Sequence, residues 1–280
     1  MVQVLLVTCD AWPEGEPGAE VLDAAFADRG VSTRWVSWRD SSVDWQDADV
    51  VAVRSTWDYA NHREEFLGWA RSVGPTLLNG VDLFTWNTDK AYLVALAAAG
   101  VPIVPTILVD GEEDLPASVA EFERAVVKPS VGAGGRGVVI FDGPDSSPDG
   151  LGSPPWVVQP LVESVRTEGE ISVFVLGGDP VSQVVKRPAG GEIRVHERYG
   201  GATYAAELTD EAGSLAVLTI RAAEKLLGTS LTYGRVDMMR MPDGQLVVSE
   251  LEATEPGLYL DFLPGNGAAF ADLVAAQLAG

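Results

Sequence analysis

Residues 123–143 read ERAVVKPSVGAGGRGVVIFDG. Two apolar runs, 125–127 and 138–141, flank Gly132-Ala133-Gly134-Gly135-Arg136-Gly137, a literal match to G-x-G-x-x-G. A dinucleotide-binding loop needs a strand before it and a helix after it. Here VVIF follows, which is strand-like, so that reading loses its context. A Walker loop needs Gly-Lys-Ser/Thr, which does not occur. A kinase glycine loop would have Val139 in place, but it needs a Lys on the next strand and HRD and DFG sequences, and all are missing. What remains is a glycine loop between two antiparallel strands with Lys128 just before it. A plain hairpin turn requires only two residues, so four glycines in six positions exceed a turn's needs. Glycines let backbone N–H groups approach phosphate closely, and such a loop can close as a lid.

The lysines support an anionic ligand. There are four: Lys90, Lys128, Lys186 and Lys225. Lys128 enters the glycine loop, Lys186 sits in the apolar run VSQVVKR, and Lys90 stands near the start of an Ala-rich helix. Only Lys225 reads as an ordinary helix-face residue. A lysine in a buried strand needs a partner anion, and three of four in such places favour a polyphosphate. Each alone would also fit a snorkelling side chain.

Two acidic strands follow. Asp237 lies in GRVDMMRM, and Glu250 and Glu252 lie in VVSELEA. Residues i and i+2 of a strand share a face. A hairpin about Pro242-Asp243-Gly244 would bring Asp237 near both glutamates. Three carboxylates on one face repel unless a cation lies between them, and Mg²⁺ suits oxygen ligands and bridges to nucleotide phosphates. Arg235 shares that face, to stabilise a developing oxyanion or to neutralise the acids.

Composition narrows the alternatives. The chain has 280 residues, 46% hydrophobic and 21% charged, enough for a packed core. Its formal charge of −22 repels phosphate backbones and anionic membranes, so nucleic acid and membrane surfaces are not expected partners. Cys9 is the only cysteine, and His62 and His196 are the only histidines. A disulfide framework and Cys- or His-rich metal sites are therefore excluded. Cys9 ends an apolar strand and reads as structural rather than nucleophilic. The N-terminal run MVQVLLVTCD lacks a basic n-region and reads as a first strand rather than a signal peptide, and no run is long enough to span a membrane. A soluble cytoplasmic protein is expected.

Along the chain, strands are expected at 2–8, 31–37 and 49–54, with a short one at Leu77 and Leu78. Helices are expected at 19–29 (Val21, Leu22, Ala25 and Phe26 inward) and 61–73 (Phe66, Leu67 and Ala70 inward). That alternation predicts a parallel α/β sheet over about the first 85 residues. A helix over 87–99, capped at Asn87 or Thr88 and stopped by Gly100, begins a region rich in hairpins. VPIVPTILV, WVVQPLV, ISVFVL with VSQVVKR, and the acidic pair supply its strands. Residues 143–155 read as a surface loop. Helix 210–227 should bury Leu215, Leu218, Ala222 and Leu226, and a last helix covers 266–279. The fold class is thus α/β followed by α+β. The expected units are 1–86, 87–160 and 161–280.

The motifs TDKAYLVALAAAGVPIVPT, VVKPSVGAGGRGV, VVQPLVES, EGEIS, VVKRPAGGEIRVHERYGG, YGRVD and SELEATEPG occur in this order. Together they make the chain resemble the ATP-grasp superfamily over essentially its whole length. The resemblance implies an N-terminal α/β domain, a small lid subdomain and a larger C-terminal subdomain gripping ATP. It implies that Lys90, Lys128 and the loop glycines Gly134 and Gly135 bind phosphates. Gln159, Leu161 and Val162 would line an adenine hinge, largely through backbone groups, and Glu170 would bind ribose. Lys186 and Arg194 would approach the triphosphate, and Arg235 the reacting carboxylate or acylphosphate. Asp237, Glu250 and Glu252 would hold Mg²⁺, with Mn²⁺ as the alternative metal. The family usually has Asn where this chain has Glu252.

RSTWDYANHREEF, LFTWNTDKAYL, the second Glu of SELE, and TEPGLYL further resemble the subgroup containing the O-ureido-serine cyclo-ligase of cycloserine biosynthesis. The run Arg54, Ser55, Thr56, Trp57 follows a buried strand, where α/β sheets place ligand loops. It and Asp10 with Trp12 after the first strand are candidate substrate contacts. The function implied is ATP-dependent carboxylate–amine ligation of a small amino-acid-like substrate, by a monomer or homodimer. A phosphotransferase and a non-catalytic ATP-binding module are the alternatives.

Overall fold

The computed structural model describes residues 3–143, 146 and 149–278. The ends of the first strand and last helix at Val2 and Ala279, and residues 144, 145, 147 and 148 of the 143–155 loop, lie outside the described residues. In chain order the elements are β1 (Gln3–Thr8), α1 (Ala19–Ala27), β2 (Ser32–Ser37), β3 (Val50–Ser55), α2 (Arg63–Val73), α3 (Gly80–Asn87), α4 (Tyr92–Ala98), β4 (Ile107–Val109), α5 (Leu115–Ala120), β5 (Ala125–Pro129), β6 (Val139–Phe141) and β7 (Trp156–Pro160). There follow α6 (Ser164–Thr167), β8 (Glu170–Leu176), β9 (Asp179–Arg187), β10 (Ala202–Ala206), α7 (Asp210–Leu227), β11 (Tyr233–Arg240), β12 (Leu246–Glu252) and α8 (Gly265–Leu278).

They form three sheets. The first is parallel, in the order β2-β1-β3. Leu77 adds only a single parallel bridge to Val51. The alternation of strand residues divides two cores. Val51 and Val53 face a core with α2, α3, α4 and α7, whereas Val50 and Ala52 face one with α1, Tyr233 and α8. The second sheet, β4-β7-β5-β6, is antiparallel and has its own small core of Val109, Leu115, Val119, Ala125, Val127, Phe141, Trp156 and Val158. The third, β10-β9-β8-β11-β12, is antiparallel and backed by α7.

Three expectations change. The helix expected over 87–99 starts at Tyr92, and Asn87 ends the preceding helix. The break has a tertiary cause: the Lys90 amide leaves any helical ladder to donate to Ser130 O (2.8 Å), and Asp89 caps the new start by accepting from Ala91 N. The strand expected from VPIVPTILV is confined to Ile107–Val109. Pro102 and Pro105 have no N–H to give a ladder, and Val104 instead donates to Val248 O while Pro102 O accepts from Val248 N. On α7, Leu215 is buried but Leu218 and Leu226 are exposed. The buried face runs through Ala212, Ala216, Thr219, Ile220 and Ala223, where small side chains let the helix lie close on the sheet. No helix among the described residues is long and apolar enough to cross a membrane.

Candidate active site

A cavity of about 740 Å³ opens where the three sheets meet. Its roof is the loop joining β5 to β6. Gly134 and Gly135 adopt φ of +62° and +68°, which side-chain-bearing residues rarely tolerate. The loop is held at three points. Lys90 Nζ donates to Gly132 O (2.8 Å), the Tyr199 hydroxyl donates to Gly135 O (3.3 Å), and Arg136 Nη2 donates to Trp57 O (3.2 Å).

The floor is the β8-β11-β12 part of the third sheet. The antiparallel register sets Asp237 opposite Glu250 and Arg235 opposite Glu252. Arg235 grips Asp237 with two hydrogen bonds of 2.8 Å and also donates to Glu252. Lys186 Nζ lies 3.0 Å from Asp237 and also pairs with Glu170, which accepts from the Ser249 hydroxyl. Lys90 Nζ is 3.2 Å from Glu250. Side-chain cations thus contact each of these acids.

These pairs decide the protonation states. Burial works against the Asp237 charge, but Arg235 and Lys186 overcome it and hold the carboxyl well below the usual range. Burial likewise opposes the Lys186 charge, and Asp237 and Glu170 outweigh it, raising the ammonium's pKa. Burial raises Glu170, with Lys186 pulling the other way. Glu250 is lowered, because Lys90 and Lys128 override its burial. Burial, with Asp237 and Glu250 adding to it, pushes Glu252 up against the pull of Arg235. Lys128 differs from the others. Burial lowers its pKa, and among the described residues its ammonium makes neither an ion pair nor a hydrogen bond.

Of the residues expected from sequence, Lys90, Lys128, Gly134, Gly135, Gln159, Leu161, Val162, Glu170, Lys186, Arg194, Arg235, Asp237, Glu250 and Glu252 all line this one cavity. Details differ from expectation. The Leu161 amide donates to Arg124 O (2.9 Å) and is not free for a base, whereas the Val162 amide has no partner among the described residues. Gln159 Nε2 donates to Thr106 (2.8 Å). Arg194 is paired with Glu192 and stacks 3.6 Å from the Tyr199 ring centroid.

The expected substrate contacts are mostly elsewhere. Trp12 and Trp57 reach the cavity and pack edge to face. Asp10 does not; it accepts from Ser37 in an exposed turn. Arg54, Ser55 and Thr56 are fully buried away from the cavity wall. Arg54 shares strand parity with Val50 and Ala52, so it points into the α1–α8 core. There it pairs with Glu16 and donates to Pro256 O (2.6 Å).

That bond belongs to a clamp on residues 253–258. Asn87 Oδ1 accepts from the amides of Ala253 and Thr254, Asn79 donates to Ala253 O, and Glu16 accepts from the Leu258 amide. The clamped segment presents Glu255, which sequence reasoning passed over. It is 6% exposed, lines the cavity and lies beside the Tyr59 hydroxyl. Burial, reinforced by the charges of Glu252 and Glu250, holds its carboxyl well above the ordinary range. Only its place in TEPGLYL marked it, because a coil segment has no periodicity to read.

Asp237, Glu250 and Glu252 do not converge on one point; among the described residues no cluster of three such groups is set to hold a metal. Their chemistry nevertheless fits Mg²⁺: the set is oxygen-only and lies on facing strands. The acids Glu170, Asp237, Glu250, Glu252 and Glu255 and the cations Lys90, Lys128, Lys186 and Arg235 share this one cavity. A polyphosphate entering there adds anionic charge that divalent cations would balance.

A glycine loop over a sheet floor of lysines, an arginine and carboxylates is a site built for a polyphosphate nucleotide. Residues 93–239 match the model of the prokaryotic glutathione synthetase ATP-grasp domain, and residues 4–79 match that of the D-cycloserine synthetase DcsG N-terminal domain. The cycloserine biosynthesis protein DcsG of Streptomyces lavendulae is 30% identical over 269 residues, covering 89% of this chain and 90% of that protein. A crystal structure of D-cycloserine synthetase DcsG superposes with a TM-score of 0.85 at 28% identity, covering 99% of both chains. The ATP-grasp ligase PsnB, solved with a precursor variant, Mg and ADP, shares the fold at a TM-score of 0.68 and 17% identity, covering 98% of each chain. The chain belongs to the ATP-grasp family, and it is an ADP-forming, ATP-dependent carboxylate–amine ligase.

Proposed function

We propose that this ligase closes a ring within one small amino-acid-like substrate of the O-ureido-serine type. The similarity to DcsG over nearly the full length of both chains supports the substrate class. The observation that carries the site is the single cavity walled by Lys90, Lys128, Lys186, Arg235 and the acids of β11 and β12. Three working units, 1–86, 87–160 and 161–280, would meet there. Within the second, the part that closes begins near Ile107, because α4 is packed into the body's core and not the lid's.

The unpaired ammonium of Lys128, Lys90, and the amides around Gly134 and Gly135 hold the phosphates. The Val162 amide and the carbonyls near Gln159 and Leu161 face the adenine. Glu170 spends part of its acceptor capacity on Lys186 and Ser249, leaving lone pairs for ribose hydroxyls. Asp237, Glu250 and Glu252 would hold Mg²⁺ or Mn²⁺, which neutralises phosphate charge when bound. Arg235 orients the substrate carboxylate for attack on the γ-phosphate, and Lys186 and Arg194 stabilise charge as ADP leaves. The oxygen-linked ureido nitrogen of the same molecule then attacks the acyl carbon, forming the ring N–C bond and giving up its proton as inorganic phosphate leaves. Positioning and charge neutralisation supply the acceleration, and no protein nucleophile is needed. Cys9 is buried and its thiol is raised by burial, which suits a structural role.

The test is ADP release with MgATP across a panel of amino acids, including ureido- and aminooxy-substituted serines, with mass spectrometry of products. One ADP per cyclised molecule supports the proposal. A condensed pair shows intermolecular ligation, and a phosphorylated product with no condensation shows a phosphotransferase. ATP binding without ADP release from any member favours a binding module.

A further inference from the structure

Glu255 is a buried carboxyl without a cation. It is 6% exposed and faces the cavity, and among the described residues no Lys, Arg or His comes within ion-pair distance of it. Its neighbours are committed elsewhere. Lys90 is held by Glu250 and Gly132 O, Arg54 by Glu16 and Pro256 O, and Arg235 by Asp237 and Glu252. Buried carboxyls are normally paired, because desolvating an isolated charge is costly. This one is also surrounded by negative potential from Glu252 and Glu250.

The backbone carrying it is fixed far more firmly than a surface turn requires. Asn87, Asn79, Arg54, Glu16 and Trp57 each spend a side-chain polar group on backbone atoms between 253 and 258. Such support is what holds a binding group in place. The walls at this end of the cavity include Trp12, Trp57, Tyr59 and Tyr259. Aromatic faces attract cations. Arg235, proposed to orient the reacting carboxylate, bonds Glu252, whose charge is felt at Glu255.

We infer that Glu255 is the receptor for the free ammonium group of the substrate, holding it beside the Arg235-bound carboxylate and so selecting amino acids over their amine-free counterparts. The inference rests on the proposed ligase reading. The Tyr59 hydroxyl sets the carboxyl's orientation, and Trp12 and Trp57 form part of the pocket wall.

The test is calorimetric binding of O-ureido-serine and of its des-amino counterpart, 3-(ureidooxy)propanoate, to the full chain with MgADP. Wild type and Glu255→Gln are compared, with Glu255→Asp as the conservative variant. The expected result is an amino-acid affinity about 10- to 100-fold lower in Glu255→Gln. The des-amino compound should bind both proteins within about twofold of each other, and Glu255→Asp should recover part of the loss. MgADP affinity should be the same in all three, showing an intact fold. If Glu255→Gln weakens both compounds equally, or neither, the ammonium assignment is wrong while the ligase reading stands. If wild type binds neither compound, the substrate class fails and the inference with it.

Discussion

Arg54 and Glu16 form an ion pair of 2.8 Å in which both side chains are almost wholly removed from water. It joins the end of β3 to the loop after β1. From there Arg54 reaches Pro256 O and Glu16 reaches the Leu258 amide. The pair therefore ties the end of β3 and the loop after β1 to the segment that presents Glu255. Arg54 also lies 4.9 Å from the Phe270 ring centroid and 5.6 Å from that of Tyr233.

Removing one member should be far worse than removing both. Arg54→Met leaves a buried glutamate unpaired and is expected to cost about 3–5 kcal/mol. Arg54→Met with Glu16→Leu should recover most of that loss, because the buried charges leave together. Urea unfolding of the two single variants and the double variant checks this. A double variant no more stable than the worse single would show that the pair does not account for the burial.

Lys128 and Lys186 should separate binding from folding. The Lys128 ammonium has no protein partner, and burial disfavours its charge, so Lys128→Ala should leave Tm unchanged or slightly raised. It should weaken MgATP binding by about tenfold or more, the loss of a charge-assisted contact. Lys186→Ala leaves Glu170 buried without its cation, although Asp237 keeps Arg235, and about 3–5 kcal/mol of stability should go with it. Nucleotide titration and thermal unfolding of both variants decide the matter. Equal destabilisation by the two would contradict the division.

Most of this site was legible because it is built on strands. Period-2 spacing put Glu250 with Glu252 and Arg235 with Asp237, but the turn's register alone would set Asp237 opposite Ser249; an irregularity between Asp237 and Met238 shifts the ladder by one residue and brings Asp237 opposite Glu250, which spacing could not reveal. The same rule would have reassigned Arg54: counting back to Val50 and Ala52 puts it on the α1–α8 side, away from the ligand loops. Helix 87–99 could not be bounded from sequence, because what interrupts it is a hydrogen bond to Ser130, 40 residues away in the chain. The buried face of α7 was misjudged by favouring leucines over the small residues that permit close packing. Glu255 and its clamp were invisible for a related reason. Apart from Asn266, which donates to Leu258 O, each side-chain hydrogen bond described on 253–258 comes from a residue at 16, 54, 57, 79 or 87.

Glu250 tests the metal donors. Glu250→Ala is expected to abolish ADP release while costing little stability, since Glu250 is partly exposed and its partner Lys90 keeps its bond to Gly132 O. Glu250→Gln should retain traces of activity that rise with Mg²⁺ concentration, as expected of a weakened oxygen ligand. Chelation of divalent cations should stop wild-type ADP release and re-addition of Mg²⁺ should restore it. Wild-type turnover by Glu250→Ala would remove this residue from the site.

Glu255 also predicts a pH dependence for the ligand-free protein. Burial, then Glu252 and Glu250, raise its folded pKa above the unfolded value, with Lys90 and the Tyr59 hydroxyl acting the other way. A raised pKa means that its contribution to stability is fully present below the unfolded pKa and is lost as pH rises toward the folded one. Asp237 has the opposite sign: its stability is present above its unfolded pKa and is lost in acid. Glu255→Gln removes only the first effect and leaves the Asp237 effect common to both proteins. The variant should therefore be more stable than wild type by a few degrees in Tm at neutral and alkaline pH. That gap should narrow as the pH falls toward the ordinary glutamate range. Thermal unfolding without nucleotide, between about pH 5 and about pH 8.5, would show it. Parallel Tm profiles for the two proteins would mean that the Glu255 carboxyl already has a positive partner in the folded state.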